Sequence, residues 1–210
     1  MLNREQKILS ILKKEHPIRG TALKFDSTFQ LAVAVILSAQ CTDLRVNKVT
    51  KILFQKLKAP KDFAGVPQKE LEALIYSTGF YRAKARNIKA MAQKIVSEHK
   101  GKMPSQMDAL LSLPGVARKS ANVILQEGFG KTQGVVVDTH IKRVSFRLGF
   151  TTTTINPTKA ECELMELFPK KDWRFVGDTL IWHGRKVCHS RKPNCTGCAV
   201  NKLCPSAFTF

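Results

Sequence analysis

Acidic side chains are scarce in this chain: 16 Asp and Glu stand against 35 Lys and Arg, a formal net charge of +19 over 210 residues. Such a surface attracts polyanions, above all nucleic acid. The imbalance is not confined to a tail. In FYRAKARNIKAMAQKIVSEHKGK the single acid is Glu98, and CHSRKPNCTGCAVNKLC has none. Long apolar runs are missing as well. No stretch of eighteen apolar residues occurs, so no membrane span is expected. The opening MLNREQKILSILKKEHP lacks the apolar block and small-residue cleavage site of a secretory leader. The expectation is an intracellular protein of the cytoplasm or nucleoid that acts as a monomer. There is no internal repeat and no low-complexity linker. Strand patterns are nearly absent too: GVVVD has no partner run and reads as a buried connection.

Helical periodicity fills the space these absences leave. REQKILSILKKEH puts Ile8, Ile11 and Leu12 on one face. Ser27 and Gln30 fit a capping box ahead of LAVAVILSA, and Asp43 opens DLRVNKVTKILFQKL. Gly79 separates QKELEALIY from YRAKARNIKAMAQKIVSEH, which Gly101 closes; Ser105, three before Asp108, marks another start. THIKRVSFRLG ends on Gly149, and Pro157 suits a first helical position. An apolar share of 43% is enough for a real core. The fold class is all-α, with around ten helices.

In LLSLPGVARKSANVIL only Pro114, Gly115 and Val116 separate two helix patterns. Pro114 fixes its own φ and Gly115 permits a positive one. The hairpin sets backbone N–H groups beside the positive end of the second helix, an arrangement that holds phosphate without reading sequence. An ordinary helix–helix turn fits the same spacing equally well. At the other end, Cys188, Cys195, Cys198 and Cys204 follow the pattern C-x6-C-x2-C-x5-C, whereas Cys41 and Cys162 stand alone. A reducing interior argues against disulfides. Zinc and an iron–sulfur cluster both take four thiolates, and general spacing does not separate them.

LPGVARKSANVIL followed by VDTH is similar to the helix-hairpin-helix and Gly/Pro…Asp signature of DNA repair glycosylases. LSAQCTD and the cysteine spacing narrow the resemblance to the endonuclease III family, from about Leu2 to Cys204. The resemblance implies two helical modules. One spans 22–131, with the helix-hairpin-helix at about 105–127. The other combines 1–21 with 132–210 and holds a 4Fe–4S cluster on the four cysteines.

The partner it implies is duplex DNA carrying damaged bases or abasic sites. The reaction is excision of oxidised pyrimidines followed by β-elimination. Lys119 becomes the nucleophile and Asp138 the carboxylate that steadies the cationic sugar. On residue type alone Lys119 also fits a phosphate partner, and Asp138 a helix cap. The positive helix end and Arg118 both oppose charge on the Lys119 amine.

The family reads Gly-Val-Gly where Ala117 replaces the second glycine here. A left-handed backbone at Ala117 would cost roughly 1–2 kcal/mol. The expectation is a weakened or slightly rearranged phosphate contact from Pro114, Gly115, Val116, Ala117 and Arg118. Gln40 and Phe80 are implied to fill the gap left by an extruded base, although a core position suits Phe80 also. Ser38 and Asp43 flank Gln40 as pocket candidates. Arg191 and Lys192 ride on the loop between Cys188 and Cys195 and point to DNA backbone contact; free solvation fits them as well. Two rivals remain: a monofunctional mismatch glycosylase, and a non-catalytic DNA-binding cluster protein. Lys119, and the absence of any Glu between Glu15 and Glu70, speak against the first, and Lys119 together with Asp138 against the second.

Overall fold

The computed structural model describes residues 2–18 and 20–209; residues 1, 19 and 210 lie outside the described residues. Helices account for all regular structure among the described residues, and GVVVD is a connection outside regular structure with buried Val135, Val136 and Val137. The chain divides into two compact units, Thr21–Lys131 and Met1–Gly20 with Thr132–Phe210.

The first unit is built from α2 (Thr28–Leu37), α3 (Asp43–Lys56), α4 (Pro60–Gly65), α5 (Gln68–Ile75), α6 (Tyr81–Glu98), α7 (Met107–Leu111) and α8 (Arg118–Val123). Its core joins Leu37, Leu53, Phe63, Ile88 and Leu125. Helix α2 is apolar on nearly every face and runs through this core, as its sequence TFQLAVAVIL requires. Ser27 caps it by accepting from the Gln30 amide at 3.2 Å, but the Gln30 side chain accepts from Asp26 rather than from the cap residue, so the expected box is only half formed. Ser105 does not start α7. Its hydroxyl accepts from Lys131 at 3.0 Å, and Gln106 takes the cap position without a side-chain bond. Helix α8 runs on into a π-helical turn, Ile124–Gly128. There a Gly128 methyl would lie 2.6 Å from Thr28 Cγ2, so any larger residue would force the Thr28 side chain to move.

The second unit holds α1 (Arg4–Glu15), α9 (Thr139–Arg147), α10 (Pro157–Leu167) and α11 (Trp173–Lys186). Ile8, Leu12, Ile141, Val144, Leu164, Val176 and Leu180 form its core. Asn156 caps α10 with Pro157 in the first turn. Gly184 lets α11 lie close on α9: an added methyl would sit 3.0 Å from His140 Cβ and from Val144 Cγ2. Lys13 ties α1 to the start of α11 through Asp172, at 2.6 Å. No described helix is long and apolar enough to cross a membrane.

Candidate active site

The hairpin turns at Leu113–Pro114–Gly115–Val116. Gly115 has φ 81°, and a methyl there would lie 2.9 Å from Asn87 Cβ and 3.2 Å from Ile36 Cδ1. Asn87 Cβ belongs to α6 and cannot yield without moving the helix. Gly115→Ala is therefore expected to cost about 2–4 kcal/mol, combining left-handed strain with overpacking, as read by urea unfolding. Val116 is buried and its amide donates to Leu113 O at 3.1 Å, so it anchors the turn from beneath. Ala117 is settled by its backbone. Its φ of −89° and ψ of 170° are extended, so the alanine carries no left-handed strain. As the N-cap it offers no side-chain acceptor, which leaves the first-turn N–H groups of α8 without a cap bond. Lys119 stands exposed in that first turn and makes no hydrogen bond or ion pair among the described residues.

Asp138 is half-buried at the end of the valine run and caps α9, with Oδ1 accepting from the Ile141 amide at 2.8 Å. The cap and the candidate catalytic carboxylate are thus one side chain. One oxygen fixes the group against the positive helix end, and Oδ2 is left for other chemistry.

Gln40 and Phe80 both have left-handed backbones, φ 52° and 47°, and both are exposed, Phe80 by 66%. They line one cavity of about 210 Å³ together with Gly115, Ser120 and Lys84. The core position that the sequence also allowed for Phe80 is therefore not where it lies. Ser38 and Asp43 are half-buried and do not line this cavity; the Ser38 hydroxyl donates back to Val35 O at 2.8 Å.

The four clustered cysteines are free thiols around a single cavity that His183 and Arg147 also line. Among the described residues, no three His, Cys, Asp or Glu side chains converge enough to hold one metal ion. Four cysteine thiolates facing one space are the donor set of a metal ion or an iron–sulfur cluster. Burial, with the neighbouring thiols adding to it, pushes the Cys198 and Cys204 thiols up.

Helix α9 grips this region. Arg147 donates to His189 O at 2.6 Å, to Ser190 O at 3.0 Å and to Cys188 Sγ at 3.4 Å. Arg143 donates to Cys188 O at 3.0 Å and Gly184 O at 2.9 Å. With the loop backbone held from behind, Arg191 and Lys192 are exposed on its outer side. His183, 3% exposed, sits 3.6 Å from Cys198 Sγ and 3.3 Å from the His16 ring; burial first, then His16, brings it down to about 4.

Residues 33–170 match the family described as HhH-GPD superfamily base excision DNA repair protein. Endonuclease III of Synechocystis sp. is 51% identical over 97% of this chain and 93% of its own length. The chain belongs to the endonuclease III family. Endonuclease III of Bacillus subtilis is 44% identical over 87% of this chain and 83% of its own. A solved structure of a trapped endonuclease III–DNA covalent intermediate, the estranged-adenine complex, matches with a TM-score of 0.89 at 41% identity, covering 99% of this chain and 98% of that one. This endonuclease III family chain is accordingly a base excision DNA repair enzyme. Arg143, Arg147, His183 and Lys84 make their contacts here without being singled out by the sequence pattern. The i, i+4 spacing of the two arginines is visible in THIKRVSFRLG, but nothing local announces that they turn inward.

Proposed function

We propose that this chain is a bifunctional DNA glycosylase and AP lyase acting on oxidised pyrimidines in duplex DNA, with Lys119 as nucleophile. The observation that carries the reading is an unengaged lysine in the uncapped first turn of α8, directly after a glycine-dependent hairpin. The Lys119 amine attacks C1′ of the extruded nucleotide and the damaged base leaves with the bonding pair. The amine gives one proton to the departing base and one to O4′ as the C1′–O4′ bond breaks, and an imine joins enzyme to sugar. Removal of a C2′ proton then expels the 3′ phosphate and breaks the strand. Asp138 Oδ2 steadies the cationic sugar as the base departs, and its fixed position makes that stabilisation effective. Uncapped N–H groups of α8 hold a phosphate, and Gln40 and Phe80 occupy the space the nucleotide vacates.

Cys188, Cys195, Cys198 and Cys204 hold a 4Fe–4S cluster. When bound it supplies a rigid cross-link, and base excision with β-elimination transfers no electrons. The protein's own part is to present Arg191 and Lys192 on a loop pinned at both ends, which lowers the ordering cost of gripping the DNA backbone. Metal and sulfide analysis of the purified chain is expected to give about four irons per chain. Cys198→Ser is expected to lose that iron and to lower the thermal midpoint by about 10 °C or more. One zinc per chain and no sulfide would contradict the cluster.

The substrate class is tested with duplexes carrying thymine glycol, a uracil mismatch or an abasic site. Excision of thymine glycol with strand cleavage, and cleavage at the abasic site, are expected. Base release without cleavage would favour a monofunctional glycosylase, and binding alone a non-catalytic DNA-binding cluster protein.

A further inference from the structure

Lys84 lies on α6, is 5% exposed and has no carboxylate partner among the described residues. Its ammonium instead donates to Leu37 O at 2.7 Å and to Thr78 O at 2.8 Å. Leu37 is the last residue of α2, and Thr78 is the last of the 3-10 turn Tyr76–Thr78. Carbonyls at helix ends lack intrahelical donors and carry the negative end of the helix dipole. One buried cation therefore closes two helix C-termini at once, through charge-assisted bonds about twice as strong as neutral ones. Burial pulls Lys84 below the ordinary lysine range, with Cys41 opposing, so the position carries a real cost.

The segments just beyond those two carbonyls give that cost a purpose. Gln40 comes three residues after Leu37, and Phe80 two after Thr78. Both adopt the left-handed backbone, at about 1–2 kcal/mol each for a residue other than glycine. Between Thr78 and Phe80, Gly79 sits at φ 68° and ψ 157°, a region open essentially to glycine alone. Strained backbone of this kind persists only where neighbouring structure over-determines it. Lys84 lines the same cavity as Gln40 and Phe80 and is bonded to the segment that carries each.

We infer that Lys84 is a positioning residue that splints the Gln40 and Phe80 segments to one another, so that both side chains enter DNA together at an extruded nucleotide. The inference rests on the insertion role proposed above for those two side chains.

The test uses the full iron-loaded chain and single-turnover kinetics. Lys84→Met fills the volume but donates nothing. It is expected to slow thymine glycol excision from duplex DNA about 10- to 100-fold, the scale of a misplacement near 1 Å. Cleavage of an abasic site in single-stranded DNA, which needs no insertion, is expected to stay within about threefold and also certifies the fold. Emission of 2-aminopurine opposite the lesion, which rises when that base is unstacked, is expected to rise less than with the unsubstituted chain. Lys84→Arg restores part of the duplex rate; should Lys84→Met fail to fold, Lys84→Gln takes its place.

Added to Gln40→Ala/Phe80→Ala, the Lys84 substitution is expected to cost little more, because its target is already gone. Full additivity, equal loss on both substrates, or an unchanged duplex rate would overturn the inference. If Gln40→Ala/Phe80→Ala excises at the unsubstituted rate, the insertion reading fails first and takes this one with it. If the unsubstituted chain does not excise thymine glycol, the substrate class proposed above is wrong, a failure distinct from that of the Lys84 inference.

Discussion

Lys119→Gln is expected to abolish borohydride trapping on lesion-containing duplexes and to slow base excision by about 10³-fold or more, the scale seen when a nucleophile is removed. Binding to the same duplex should weaken only modestly, because one cation among many contacts is lost. The structure favours so clean a separation. Lys119 holds no partner among the described residues, so its removal strands no buried group, and α8 keeps the turn that precedes it. Thermal stability should move by no more than about 0.5 kcal/mol, the usual range for a surface substitution. Stability assays and trapping on one preparation therefore distinguish chemistry from folding.

Asp138→Asn isolates the second catalytic group. Asparagine caps helices about as well as aspartate, so the bond from the Ile141 amide survives while the charge is removed. Excision should fall about 10²- to 10³-fold, the effect of losing one preorganised electrostatic contact to a transition state. The unfolding midpoint should change little. Asp138→Ala would lose the cap as well, at about 1 kcal/mol, and so mixes two effects. If Asp138→Asn retains full excision while Asp138→Ala unfolds readily, the side chain is a cap and nothing more.

Much of this is legible in the residues themselves. The apolar spacing in REQKILSILKKEH and TFQLAVAVIL marks helices whose faces pack as the pattern says, because burial decides those positions. The hairpin is visible because Pro114 and Gly115 are backbone constraints written directly in residue type. The four cysteines are visible as a spacing, and the structure gathers them around one cavity.

Other features depend on distant partners and leave no local trace. Ser105 reads as a helix start, but Lys131 claims its hydroxyl. Lys84 sits in a strongly basic helix and would pass for a solvated charge; only two carbonyls from other elements bring it inside. Arg147 is buried for the same reason, drawn in by carbonyls of the cysteine loop. The conformation of Ala117 is not written in its identity, since extended and left-handed backbones are both open until the fold fixes φ at −89°.

The central claim is that one amine, that of Lys119, bonds to the sugar. Borohydride reduction of the unsubstituted chain on an abasic duplex, with subsequent proteolysis and mass mapping, tests it most directly. A single sugar-bearing peptide modified at Lys119 is the expected result. Attachment at any other amine, or strand cleavage with no adduct at all, would contradict it.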